Sequence, residues 1–96
     1  MKGEVYEKKC VLINEHGIHA RPSSLIVATS VKLGVPPNTV FIENVFEGCQ
    51  ADVTSIMSIM MLAAARGTEL RIFTHETNQH RAVDELTELI GKMEFD

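Results

Sequence analysis

The sequence has no tryptophan and a single tyrosine, and its 9 Lys and Arg are outnumbered by 13 Asp and Glu, giving a net charge of −4. A basic surface for nucleic acid is therefore missing, as is a basic–aromatic patch on which bases would stack. Long hydrophobic runs are scarce too. The longest, Ile59-Met60-Met61-Leu62-Ala63-Ala64-Ala65, falls well short of the ~20 apolar residues a bilayer-crossing helix needs, so no direct membrane insertion is expected. Met1-Lys2-Gly3-Glu4 leads straight into a strand-like pattern without an apolar signal region, and the expected location is the cytoplasm. The two cysteines, Cys10 and Cys49, lie far apart and lack the close pairing of a zinc or redox motif; free thiols are expected in a reducing compartment. His16 and His19 form a His-x-x-His, but two ligands are too few for a defined zinc site, so neither metal nor cofactor is expected. Neither a carboxylate pair spaced for acid–base catalysis nor a Gly-rich nucleotide loop is present.

What the chain does have is 96 residues, 45% of them hydrophobic and 23% charged. That fits one soluble domain over residues 1–96, with a core too modest to enclose a deep cavity. Chemistry, if any, belongs on its surface. Val5 to Ile13 reads as a strand, interrupted by the polar turn Asn14-Glu15-His16-Gly17. His19 to about Leu33 reads as a helix, because Pro22 is tolerated only near a helix start. Ser23, Ile26, Val27 and Ser30 mark its buried face, and Gly34 ends it. Strands follow at Thr39 to Glu43 and within Phe46 to Asp52. A short helix capped by Asp52, Thr54 or Ser55 runs through about Leu62. Glu69 to His75 alternates as a strand, and Thr77 or Asn78 caps a last helix whose apolar face is Ala82, Val83, Leu86, Leu89, Ile90 and Met93. The order β-α-β-β-α-β-α predicts an α+β fold, with three helices on one face of a four-stranded antiparallel sheet and the other face toward solvent.

One stretch carries chemistry. Gly17-Ile18-His19-Ala20-Arg21-Pro22 joins a tight turn, a histidine and a helix N-terminus. Backbone N–H groups at a helix start lack intrahelical partners and, with the positive end of the dipole, make an anion site. A phosphoryl group on the His19 ring would lie over the amides of Ala20 and Arg21. The Arg21 guanidinium matches phosphate geometry, and neutral imidazole is a competent nucleophile. A bland reading competes, in which His19 only caps the helix or decorates the surface.

The same six residues resemble the active-site signature of the HPr family, the histidine-containing phosphocarriers of the bacterial phosphoenolpyruvate-dependent phosphotransferase system. A second block, Thr54-Ser55-Ile56-Met57-Ser58-Ile59-Met60 with Leu62 and then Arg66-Gly67-Thr68-Glu69-Leu70, resembles that family's regulatory-serine helix and the strand after it. The resemblance spans nearly the whole chain and implies an open-faced sandwich. It implies that His19 is phosphorylated on Nδ1 by enzyme I, that Arg21 assists, and that IIA domains of sugar permeases are the recipients. It implies a carrier that is not itself an enzyme. Ser55 matches the serine that an HPr kinase/phosphorylase modifies in many members, and Ile56, Met57 and Met60 match an exposed docking face beside the histidine. Met and Ile on such a face adapt to several partners.

Departures from the family pattern are His16, the pair Ser23-Ser24, and a longer segment from Gly34 to Asp52 with Pro36-Pro37. His16 is placed to tune His19 or to contact the phosphate. Two other functions stay open from sequence: a carrier of the nitrogen-related phosphotransferase branch, and a regulatory binding module that transfers nothing. A monomer is expected.

Overall fold

Side-chain alternation along the strands decides which face of the sheet the helices cover. The computed structural model describes residues 2–95, with side chains from residue 4 onward. Its elements are β1 (Lys2–Val11), α1 (Ala20–Lys32), β2 (Val40–Asn44), β3 (Cys49–Asp52), α2 (Ile56–Met60), β4 (Glu69–Glu76) and α3 (His80–Lys92). This is the order the sequence predicts. The strands form one antiparallel sheet in the order β1-β4-β2-β3, and three helices pack against it as an open-faced sandwich.

Register places Ile72 between Lys8 on one neighbour and Ile42 on the other. Leu70, Ile72, Val40 and Ile42 thereby turn inward and are fully buried, together with Ile26 of α1, Ile59 of α2 and Leu86 and Ile90 of α3. Burying a side chain of this size stabilises by roughly 1.5–3 kcal/mol, so these residues fix the packing of helices on sheet. In α1 the inward residues are Ser23, Ile26 and Ser30, with Val27 partly covered. Ser30 Oγ donates to the Ile26 carbonyl at 2.8 Å, whereas the buried Ser23 Oγ has no partner among the described residues. Between β1 and α3, Tyr6 donates to Asp84 at 2.6 Å and Lys8 pairs with the same carboxylate at 2.9 Å. These two contacts, Tyr6 first, hold the Asp84 carboxyl below the usual carboxylate range. Tyr6 also stacks on His80 with ring centroids 4.0 Å apart.

The face turned away from the helices is less open to solvent than the alternation implies. Phe73 lies on it yet is only 4% exposed. Phe41 stacks on its ring at 5.5 Å and the Arg71 guanidinium sits 4.0 Å above it. Arg71 is in turn tied to Glu7 on β1 and to Glu43 on β2, and its hydrogen bond holds the Glu43 carboxyl below the usual range. The long arginine stem covers the ring while its charged end is matched by carboxylates from both flanking strands.

Two boundaries differ from the sequence reading and a third is narrowed, each for a local reason. The third strand, expected within Phe46 to Asp52, occupies Cys49–Asp52. Asn44 is the cause, because its buried side chain accepts from Glu47 N–H at 3.2 Å and donates to the Leu62 carbonyl at 3.1 Å, committing residues 45–48 to a turn. Phe46, at that turn, is 91% exposed. The short helix ends at Met60, because Ala63 takes a left-handed φ of 52° and redirects the chain. Gln79, not Thr77 or Asn78, precedes α3, and its side chain makes no capping bond. Both cysteines are free thiols; burial pushes the Cys10 thiol up to about 11.

Candidate functional site

The loop between β1 and α1 is built around Asn14 and Gly17. Asn14 is fully buried. Its Nδ2 donates to the Gly17 carbonyl at 2.7 Å, and the Gly17 N–H donates to the Asn14 carbonyl at 3.0 Å, closing the turn from both sides. Gly17 has φ +70°, and a Cβ there would meet the Ala64 carbonyl oxygen at 2.4 Å. That space is used: the next residue, Ile18, donates its N–H to this carbonyl at 3.0 Å and buries its side chain. The left-handed Ala63 aims that carbonyl at the loop. A non-glycine residue in this region costs on the order of 1–3 kcal/mol unless its surroundings hold it, so the chain leaving α2 and the loop entering α1 are locked together.

This lock leaves His19 at the N-cap of α1, partly exposed, with extended backbone at φ −106° and ψ −164°. N-cap residues usually satisfy a helix-start N–H through the side chain. His19 makes no such side-chain bond, which removes the reading of His19 as a cap. Its carbonyl instead accepts the first helical hydrogen bond, from Ser23 N–H at 3.0 Å. Pro22 has no N–H to give. Among the described residues, the N–H groups of Ala20 and Arg21 have no protein acceptor, and no acidic residue occupies the first turn of the helix. The positive end of α1 is therefore left unneutralised at an exposed surface. Ala20 and Arg21 are both exposed.

Arg21 is on the same turn, its Cζ 5.1 Å from the centroid of the Phe95 ring. Among the described residues no carboxylate pairs with it. His16 is exposed. No group of three His, Cys, Asp or Glu residues among those described is placed to hold a metal ion.

Ser55 is the N-cap of α2. Its Oγ accepts from Ser58 N–H at 3.3 Å and lies 3.0 Å from Ser58 Oγ. α2 packs on α1 and divides as the family resemblance implies: Ile59 and Leu62 are buried, while Ile56, Met57 and Met60 are 39%, 69% and 38% exposed. Met61 is 77% exposed. Two residues of this region carry little signal in the sequence. Asn14 reads as an ordinary turn former, and Phe95 falls beyond the last apolar-periodic position of α3. The only available signal for Phe95 was an aromatic side chain just past a helix end.

Comparison with known proteins gives one consistent result. The family model for the PTS HPr component phosphorylation site matches residues 6–92. The chain is 38% identical over 80 residues to the phosphocarrier protein HPr of Pseudomonas aeruginosa, covering 83% of this chain and 84% of that one. It is 32% identical over 83 residues to the corresponding protein of Xylella fastidiosa, covering 86% and 88%. Among solved structures, HPr from Bacillus anthracis superposes with a TM-score of 0.76 at 26% identity, covering 92% of this chain and 99% of that one.

Gly17→Ala tests the lock. It introduces both a backbone penalty at positive φ and a clash with a carbonyl, so it should destabilise by about 1–3 kcal/mol. Urea unfolding monitored by circular dichroism measures this; a midpoint equal to wild type would contradict the packing described.

Proposed function

The chain belongs to the HPr family of phosphocarriers of the phosphotransferase system, and we propose that within it His19 is the acceptor, charged by enzyme I and discharged to IIA domains of sugar permeases. The observation that carries this reading is the uncapped start of α1 behind His19, where two N–H donors and the helix dipole are unused.

The step needs positioning and charge stabilisation more than a pocket. A lone pair on His19 Nδ1 attacks phosphorus in line with the bond to the donor. A phosphorus–nitrogen bond forms as the donor bond breaks, and the donor leaves with that bond's electron pair. In the onward transfer His19 is the leaving group. The amides of Ala20 and Arg21 and the Arg21 guanidinium face the charge on the phosphoryl oxygens. Partial exposure of His19 suits a group that two different proteins must reach in turn. Ile56, Met57 and Met60 supply the apolar contact for both partners. A carrier serving these partners would work in the cytoplasm.

Incubation with enzyme I and labelled phosphoenolpyruvate should give an acid-labile, base-stable label that His19→Ala abolishes. Arg21→Ala should slow transfer by an order of magnitude or more while leaving the free energy of unfolding within about 0.5 kcal/mol of wild type, as for an exposed first-turn residue. Uptake of label by His19→Ala would refute the assignment of the acceptor.

We further propose that Ser55 is modified by an ATP-dependent HPr kinase. Phosphorylation would replace a small hydroxyl by about −1.5 to −2 charges beside Met57, on the surface that partners must share. α2 is a single short turn of five residues, so the effect is a new charge on the docking face and not a reordered helix. Treatment with HPr kinase and ATP should yield phosphoserine at Ser55 and lower the rate of His19 phosphorylation. Unmodified protein after such treatment restricts Ser55 to its capping role.

A further inference from the structure

Phe95 lies beyond α3, yet its position is set by the loop that carries His19. Its backbone N–H donates to Asn14 Oδ1, the other end of the amide that donates to the Gly17 carbonyl. One buried side chain thus fixes the turn before His19 and the segment after α3 to each other. The Phe95 ring packs partly against the core, and its exposed part forms a shallow depression with Ala20, Arg21, Ser24 and Leu25. The Arg21 guanidinium lies over this ring.

We propose that Phe95 is a positioning residue, holding Arg21 for the phosphoryl group by its ring face; the proposal rests on the reading of His19 as phosphoryl acceptor. Side chains of a helix lean toward its N-terminus, so Arg21 leans over the turn where the phosphate would sit. A free arginine would spread over many rotamers, and phosphate would have to order it. A carboxylate partner would restrict it, but at the cost of two N–H donors and most of its charge. An aromatic face restricts it differently. It engages the flat side of the guanidinium and leaves the N–H groups at its edge for an anion. The ring is anchored through Asn14 to the loop that places His19, so the partner of Arg21 and the turn before His19 share one anchor.

The test compares Phe95→Leu, which keeps an apolar side chain and removes the ring face, with Phe95→Tyr, which keeps both. Each is made in wild type and in an Arg21→Gln background. Transfer from phosphorylated enzyme I is followed by rapid quench, and the Arg21 Nε–H resonance is followed by proton NMR. Phe95→Leu should slow transfer about two- to fivefold, Phe95→Tyr should match wild type, and Phe95→Leu should have no further effect once Arg21 is Gln. The Arg21 Nε–H should show an upfield ring-current shift that Phe95→Leu removes. An equal loss in both backgrounds overturns the proposal, since the ring would then act through stability or partner contact. A wild-type Arg21 resonance without the ring-current shift overturns it as well, and needs no variant to fold. A wild type that takes up no phosphoryl group while keeping the shift defeats the carrier reading, and the proposal with it. A wild type that is phosphorylated as fast as Phe95→Leu defeats the proposal alone.

Discussion

The site depends on one close backbone approach, that of Gly17 to the Ala64 carbonyl. A side chain at residue 17 would collide with that oxygen, and without one the Ile18 N–H reaches it. This contact joins the segment after α2 to the segment before α1. The left-handed Ala63 lies just before this carbonyl, where the chain turns after α2. The consequence is that the loop carrying His19 is tied to the segment that follows α2 and its exposed Ile56, Met57 and Met60.

On this frame the chemistry comes from something left undone. Most helices satisfy their first N–H groups with a capping side chain. α1 has a histidine at that position which does not cap, a proline with no N–H at the third helical position, and no acidic side chain in the first turn. What is left is a compact anion site in which only the amides of Ala20 and Arg21 have to be matched. A site of this kind needs no cavity, which is how a domain with a modest core can take part in phosphoryl transfer. Its exposure leaves it open to a docking protein.

Much of this was legible in the sequence. Strand alternation in residues 69–75 and the apolar spacing of α3 predicted the layer arrangement, because burial on one face leaves a strict period. Pro22 fixed the start of α1, because proline is tolerated in a helix at few positions. The six residues around His19 and the block around Ser55 pointed to the family. Other features were not legible, and the reasons are physical. The end of α2 is set by the backbone angle of an alanine, a residue that carries no turn signal. The start of β3 is set by Asn44 reaching the Leu62 carbonyl, a tertiary contact eighteen residues away. Phe73 is buried on the nominally open face because Phe41 and Arg71 pack on its ring. The Asn14–Phe95 bond joins residues 81 apart, a distance no local pattern encodes.

On the proposed reading, the unpaired amides at the start of α1 receive the phosphoryl oxygens. The most direct measurement is the amide proton and nitrogen shift of Ala20 and Arg21 before and after phosphorylation of the intact protein, with isotope labelling and NMR. Donation to an anion moves amide protons downfield, so both resonances should move in that direction while amides in the second half of α1 stay in place. Stoichiometric phosphorylation of His19 with Ala20 and Arg21 unmoved would mean that the phosphoryl group lies away from the helix end, and would contradict the account.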